Sequence, residues 1–230
     1  EAYRLNIEKN RIKIEAGDIQ GVNHGLASLL QLIMTAKDAQ LPVLTIQDKP
    51  AFGYRGLMLD CARHFWTVDE LKETLDHMAF FKLNTLHMHL TDNQAWRLSM
   101  DKYPDLVKEG TYYYDFPELS GKYYSKEDLK EIVTYAGTRG IESIPEVVLP
   151  GHSIALLAAL PELSCRGGKF EATPEERDWN KRKRGNENMI CIGNPQSFAF
   201  AEDVIDALIE IFPSQYIHFG GDEVPTDIWE

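Results

Sequence analysis

From Ala51 onward the chain alternates short apolar runs with helix-patterned stretches, and this rhythm restricts it to folds built on a parallel sheet. Gly56 to Leu59 is a strand bounded by Arg55 and Asp60, and Asp69 opens a helix with Leu71, Leu75 and Met78 on one face. Thr85 to Leu90 is the next strand. A helix follows on Leu129, Ile132, Val133 and Ala136, with Ser125 as its N-cap. A strand over Ile141 to Leu149, a helix on Phe200, Val204, Leu208 and Ile211, and a strand over Tyr216 to Gly220 complete the series. The turns from helix to following strand are short, as in Lys82-Leu83-Asn84 and Pro213-Ser214-Gln215. The segments after the second and third strands are far longer, about 30 and about 45 residues, well beyond ordinary loops. Irregular chain therefore gathers at the C-terminal ends of the strands, where barrels and open α/β sheets alike place their sites. Neither G-x-G-x-x-G after a strand nor G-x-x-x-x-G-K-[ST] occurs, which favours a (β/α) barrel over a nucleotide-binding sheet. The fold class is thus α/β, a (β/α)8-type barrel of which about the first four βα units are present.

The first 50 residues follow a different pattern. Residues 2–15 alternate loosely around Lys9-Asn10, as two short strands would. A helix carries Val22, Leu26, Leu29, Leu30 and Ile33 on one face, and a strand on Val43, Leu44 and Ile46 runs into Asp48-Lys49-Pro50. That tripeptide is the expected junction between a small α/β domain, 1–50, and the barrel part, 51–230. The 230 residues carry 24 Lys+Arg against 36 Asp+Glu, a net charge of −12 that argues against nucleic acid as a partner. No apolar run is long enough for a membrane span, and the opening residues are not a signal peptide.

All four expected strands of the barrel part end in ionisable residues. These are Asp60-Cys61-Ala62-Arg63-His64, His87-Met88-His89-Leu90-Thr91-Asp92, Glu146 with Pro150-Gly151-His152, and His218-Phe219-Gly220-Gly221-Asp222-Glu223. A single polar terminus is ordinary solvation or a helix N-cap, but four at one end of one sheet point to a site. On a regular strand Asp222 and Glu223 would face opposite ways, so two preceding glycines are needed to re-aim them into one pocket. Paired carboxylates repel, keeping one protonated near neutrality, and a protonated acid beside an ionised one suits glycosidic bond cleavage. Taken alone, the tetrapeptide fits a Gly-Gly turn before an acidic helix start equally well.

The set of motifs resembles family 20 glycoside hydrolases, the exo-acting β-N-acetylhexosaminidases. It comprises Tyr54 to Asp60, Arg63-His64-Phe65, His87 to Gln94, Trp96-Arg97, Pro145-Glu146, Pro150-Gly151-His152 and His218 to Glu223. Residues 1–50 look like the end of that family's accessory domain. The resemblance implies a retaining mechanism in which the substrate's own 2-acetamido oxygen is the nucleophile and forms an oxazolinium intermediate, an exception to the two-carboxylate scheme. Glu223 would be the general acid and later the base for water, and Asp222 would orient the acetamido group and stabilise its charge. Arg55 would grip the outer hydroxyls of a terminal sugar. Asp92 and His152 would support the acid, with Glu146 behind them, while Trp96 and Arg97 would be structural. The implied partner is an N-acetylhexosamine-containing oligosaccharide or glycoconjugate, with no cofactor and no metal.

One position departs from the family pattern: Val148 stands where an Asp is usual, two residues after Glu146. Relatives often carry a disulfide where Cys165 and Cys191 lie, around the basic run Lys181 to Arg184, and such a bond implies a secreted, periplasmic or other oxidising compartment. Cys61 reads as a small buried apolar residue. Two competing readings remain at this point. In one, His87 and His89 form an H-x-H zinc pair completed by His152, His218, Asp92 or Asp222, as in amidohydrolase-type barrels. In the other, the chain is a non-catalytic carbohydrate-binding piece. With four of eight barrel strands, the chain is expected to be a fragment of a longer enzyme, inactive alone or self-associating through its open sheet edges.

Overall fold

The computed structural model describes residues 1–111, 120–165, 167 and 189–224; the Lys181–Arg184 run lies outside them. Two sheets are present. The first is antiparallel, with strand order β2-β1-β3 for β1 (Tyr3–Glu8), β2 (Arg11–Ala16) and β3 (Leu44–Asp48). The second takes β4 (Gly56–Asp60), β5 (Thr85–His89) and β6 (Glu142–Glu146) in that order. Its strands run parallel: Asn84 N–H bonds Arg55 C=O at one end and Cys61 N–H bonds His89 C=O at the other. Helices α1 (Ile19–Thr35), α2 (Val68–Phe80), α3 (Asp105–Lys108), α4 (Lys126–Thr138), α5 (Ile154–Ala159) and α6 (Pro195–Ile211) complete the described elements.

By compactness the chain divides into two units, residues 1–57, 68–86 and 132–143 in one and 58–67, 87–131 and 144–230 in the other. In the first unit, β1 buries Tyr3, Leu5 and Ile7 on one face, the strict alternation of a half-buried strand. Asp18 caps α1 by accepting the Gly21 N–H, and the helix lies close against the sheet through small residues. A Cβ on Gly25 would stand 2.6 Å from Ile14 Cγ2, so the approach depends on glycine there. The apolar face read from the sequence is only half used. Leu29 and Leu32 pack on the β1 core, but Leu26, Leu30 and Ile33 are about half exposed, because the close approach puts Gly21, Gly25 and Ser28 inward instead.

The helices that follow the second sheet's strands bury the residues their periodicity marks. Leu71, Leu75 and Met78 of α2, Leu129, Ile132 and Ala136 of α4, and Phe200, Val204, Leu208 and Ile211 of α6 are buried. Ser125 caps α4 in a reciprocal box, its hydroxyl accepting the Asp128 N–H while the Asp128 carboxylate accepts the Ser125 N–H. The expected fourth strand is shorter than its apolar run suggested. Glu146 and His218 form a single parallel bridge, flanked by Val147 N–H to His218 C=O and Leu149 N–H to Phe219 C=O. Just beyond, Gly220 and Gly221 turn to φ of +62° and +82°, which takes the chain out of extended geometry.

In the second unit a buried guanidinium ties the turn after β4 to the backbone at Lys122. Arg97 is fully buried and donates to the carbonyls of Cys61, Ala62 and Lys122. Trp96, also buried, donates its indole N–H to Leu98 C=O, so both residues serve the scaffold as expected. Arg97→Met keeps the volume but leaves the buried carbonyls of Cys61 and Ala62, and the part-buried one of Lys122, without their donor. It should lower stability by about 3 kcal/mol or more, read as a fall in urea midpoint at unchanged slope.

Candidate active site

The C-terminal ends of the second sheet's strands carry the site, and each is shaped locally. Beyond β4, Asp60 Oδ1 accepts the N–H groups of Ala62 and Arg63, a tight turn that brings the Arg63 side chain back over the strand end. Arg63 Nη1 pairs with Asp60 Oδ2 and Nη2 with Asp92 Oδ2, both at 2.9 Å, while Nε donates to Gln94. Beyond β5, the Thr91 hydroxyl accepts the Val148 N–H, pinning this loop to the one after β6.

Asp92 is buried and its two oxygens face different rings. Oδ1 lies 3.1 Å from His152 Nδ1 and Oδ2 lies 3.0 Å from His89 Nε2, with the Asn93 N–H also on Oδ1. His89 Nδ1 in turn lies 3.1 Å from Glu146 Oε2. Glu146 is flanked further by His87 Nε2 at 2.6 Å and His218 Nδ1 at 3.1 Å. At the other end, His152 Nε2 stands 3.4 Å from Glu223 Oε2 and 3.5 Å from Asp222 Oδ2, without a hydrogen bond to either. Asp222 and Glu223 therefore face the same nitrogen despite being neighbours in the chain. The left-handed backbone at Gly220, Gly221 and Glu223 (φ +48°) makes this possible, and His152 itself sits at φ +50°.

Gly220 is constrained twice. Its φ favours glycine, and an added Cβ would stand 2.8 Å from Val148 Cγ1. Val148 is buried here, packed against the glycine that aims the carboxylates. The residue that departs from the family pattern thus contributes packing where an Asp would bring charge.

Protonation follows from these contacts. Burial works against charge on His89, but hydrogen bonds to Asp92 and Glu146 outweigh it and hold the imidazole up at about 9. Burial likewise opposes ionised Asp92, yet the His152 and His89 hydrogen bonds and the Arg63 charge bring it down to about 2. Glu146 is lowered too, burial being overcome by His87 and His89, and His152 is raised, chiefly by its bond to Asp92. Cys61 is buried and its thiol is pushed up to about 12 by burial, as suits an inert core residue.

Asp92, His152, Glu146, Asp222 and Glu223 thus come together as the sequence led one to expect, but Arg55 does not join them. It precedes β4, at the opposite end of that strand from Asp60, and belongs to the other compact unit. Its Nε donates to Lys82 C=O, and its Nη1 donates to Phe52 C=O and pairs with Glu1 at 3.0 Å. Those contacts hold the start of the strand. The arginine at the carboxylate cluster is Arg63, and its position just past the polar strand end was the signal in the sequence that pointed to it. His89 was read only as half of a zinc pair. The six residues of that zinc reading divide instead, His87 and His218 standing at Glu146 while His152 and Asp222 stand beyond Asp92. Among the described residues His87, Glu146 and His218 come nearest to a ligand set, with atoms within 4.8 Å of one another, and His87 Nε2 is buried beside Glu146 without a hydrogen bond. Cys165 and Cys191 are joined as a disulfide.

His89 makes stability depend on pH with a definite sign. Its folded value, about 9, lies above the ordinary 6.5, so its contribution is complete below 6.5 and is lost as pH rises through about 9. Denaturant titrations at pH 6.5 and 10 should show a loss on the order of 2 kcal/mol at the higher pH. His89→Gln should be less stable at pH 6.5 and lose much less on going to pH 10.

Residues 52–230 match the catalytic domain of glycosyl hydrolase family 20, and residues 1–49 match domain 2 of the same family. A beta-hexosaminidase of Porphyromonas gingivalis is 39% identical across 100% of this chain and 30% of its own length. One from Akkermansia muciniphila is 40% identical, covering 100% of this chain and 46% of that protein. A crystal structure of a beta-N-acetylhexosaminidase superposes with a TM-score of 0.85 at 38% identity, covering 100% of this chain and 49% of the other. The chain thus spans less than half the length of these relatives. Its second sheet with α2, α4 and α6 is a partial (β/α) barrel, and β1 to β3 with α1 are part of an accessory domain.

Proposed function

Because this chain belongs to glycosyl hydrolase family 20, we propose that the protein containing it removes terminal N-acetyl-β-D-hexosamine residues from oligosaccharides or glycoconjugates by a substrate-assisted retaining reaction. The observation that carries this reading is the convergence of Asp222 and Glu223 on one face of His152, at 3.5 and 3.4 Å. Two carboxylates in one pocket can divide the work. Glu223 donates a proton to the leaving glycosidic oxygen as that bond breaks. The sugar's acetamido oxygen attacks the anomeric carbon from the opposite face, and Asp222 holds the acetamido N–H and the positive charge that grows there. In the second step Glu223 takes a proton from the attacking water. His152 and Asp92 support Glu223 throughout.

Arg55 keeps its assignment to the outer hydroxyls of a terminal sugar. Arg63, about two-fifths exposed and paired with Asp60 and Asp92, is a second cation beside the carboxylates. The division into an accessory part, 1–50, and a barrel part, 51–230, follows the strand-helix rhythm and the Asp48-Lys49-Pro50 junction. The Cys165–Cys191 bond supports an oxidising compartment, secreted or periplasmic, and no described helix is long and apolar enough to cross a membrane. Among described residues β4 lies at an edge of the sheet, the place where further strands or a second copy would pair.

Two substitutions in the full-length protein test the assignment. Glu223→Gln should lower kcat/KM on an N-acetylglucosamine disaccharide by about 10²–10⁴-fold. It should cost far less on a dinitrophenyl glycoside, whose leaving group barely needs a proton. Asp222→Asn should slow both substrates. Full disaccharide activity in Glu223→Gln would show that another group is the acid.

A further inference from the structure

Between the supporting Asp92 and the buried Glu146 stands one ring, His89, whose two nitrogens bond one carboxylate each, at 3.0 and 3.1 Å. We propose that His89 is a positioning residue for the acid: by bridging Asp92 to Glu146 it fixes the Asp92 carboxylate so that His152 always presents Nε2 to Asp222 and Glu223. This inference rests on the reading of Glu223 as general acid.

The logic is one of donors and acceptors. With both nitrogens facing carboxylates, His89 donates twice as an imidazolium, and Arg63 Nη1, 3.2 Å from its Nε2, is taken up by Asp60 at the shorter 2.9 Å. Asp92 Oδ2 is then occupied by His89 and Arg63, and Oδ1 by the Asn93 N–H and the second ring. A carboxylate so surrounded stays ionised and can only accept, so His152 Nδ1 carries the hydrogen toward Asp92 Oδ1 at 3.1 Å, in preference to accepting from Asn93 Nδ2 at the longer 3.4 Å. Nε2 is left as the one place on His152 where a proton can be gained or lost. It is buried, makes no hydrogen bond and points at the two carboxylates. When Glu223 passes its proton to the leaving oxygen, a proton held on His152 Nε2 steadies the new carboxylate without leaving the ring. The other end is anchored as well: Glu146 comes from the last residue of β6 and has His87 and His218 on its remaining sides. The charged and titratable groups facing His89 are therefore Asp92 and Arg63 from the loops, Asp60 at the end of β4 and Glu146 on β6, with His87 of its own strand at the same Glu146 oxygen.

The chain from Glu146 through His89, Asp92 and His152 to Glu223 is continuous, and each link is 3.0 to 3.4 Å. Removing the middle ring while leaving its neighbours should free Asp92 to turn. His89→Gln keeps a single donor toward Asp92 but neither the charge nor the second bond. It also removes a cation near His152, so His152 should hold its proton to higher pH.

The test uses the full-length protein with 15N-labelled histidine, comparing wild type with His89→Gln and, for the anchor, Glu146→Gln. In the wild type, NMR should show His152 as a single Nδ1–H tautomer when neutral. In His89→Gln the tautomers should mix and the titration should move up by about half a unit or more. Kinetically, kcat on the disaccharide should fall about tenfold or more with KM little changed, while the dinitrophenyl glycoside is spared by comparison. Glu146→Gln should show the same pattern more weakly. An unchanged His152 spectrum, or equal losses on both substrates, would overturn the proposal, since a merely structural residue affects both alike. Thermal unfolding verifies that each variant is folded; should His89→Gln fail to fold, the same criteria apply to Glu146→Gln. If wild type cleaves neither substrate, the reading of the enzyme has failed, whereas the tautomer of His152 still decides the role of His89.

Discussion

A buried negative charge organises this site. Asp92 is almost wholly removed from water, where an isolated carboxylate would cost several kcal/mol, and every neighbour it recruits answers that cost. Arg63 is drawn back over the end of β4, His89 on β5 sets its Nε2 3.0 Å from one oxygen, and His152 from the loop after β6 sets its Nδ1 3.1 Å from the other. Three strand ends that adjoin in a parallel sheet are thereby locked through one residue. The carboxylates at Asp222 and Glu223 then meet a histidine whose orientation is already decided.

The surrounding scaffold supports that arrangement by the same rule that buried polar groups must be paired. Arg97 supplies donors to loop carbonyls that have no ladder to join, and Thr91 reaches across to the backbone of Val148. The left-handed turns at His152, Gly220, Gly221 and Glu223 are local costs, and they fall together where side chains must be aimed against the regular alternation of a strand. Val148 belongs to this economy: a buried apolar side chain there closes the space over Gly220 and adds no further charge to a crowded cluster.

The two arginines of the first motif show how strand direction separates residues of one type. Arg55 and Arg63 are eight positions apart in one short motif, and either could be a sugar ligand by residue type alone. In a parallel sheet all strands share one C-terminal end, and the arginine beyond Asp60 pairs there with Asp92. The one before Gly56 is committed to backbone carbonyls and Glu1 at the strand's start. Likewise the H-x-H pair, read as a metal pair in the competing reading, sets both rings at one carboxylate.

By itself the sequence determined the strand-helix order, the buried faces of α2, α4 and α6, the cap at Ser125 and the convergence of ionisable residues on one end of a sheet. These are local matters, fixed by periodicity and residue chemistry over a few turns of chain. It also marked Asp222 and Glu223 through the glycines before them. The tertiary structure alone decided that the small-residue face of α1 packs inward, that Arg63 pairs with Asp92, and that His89 bridges two carboxylates. Each of those depends on which groups the fold brings within about 3 Å, and pairings of donors with acceptors across distant segments leave no period in the chain to read.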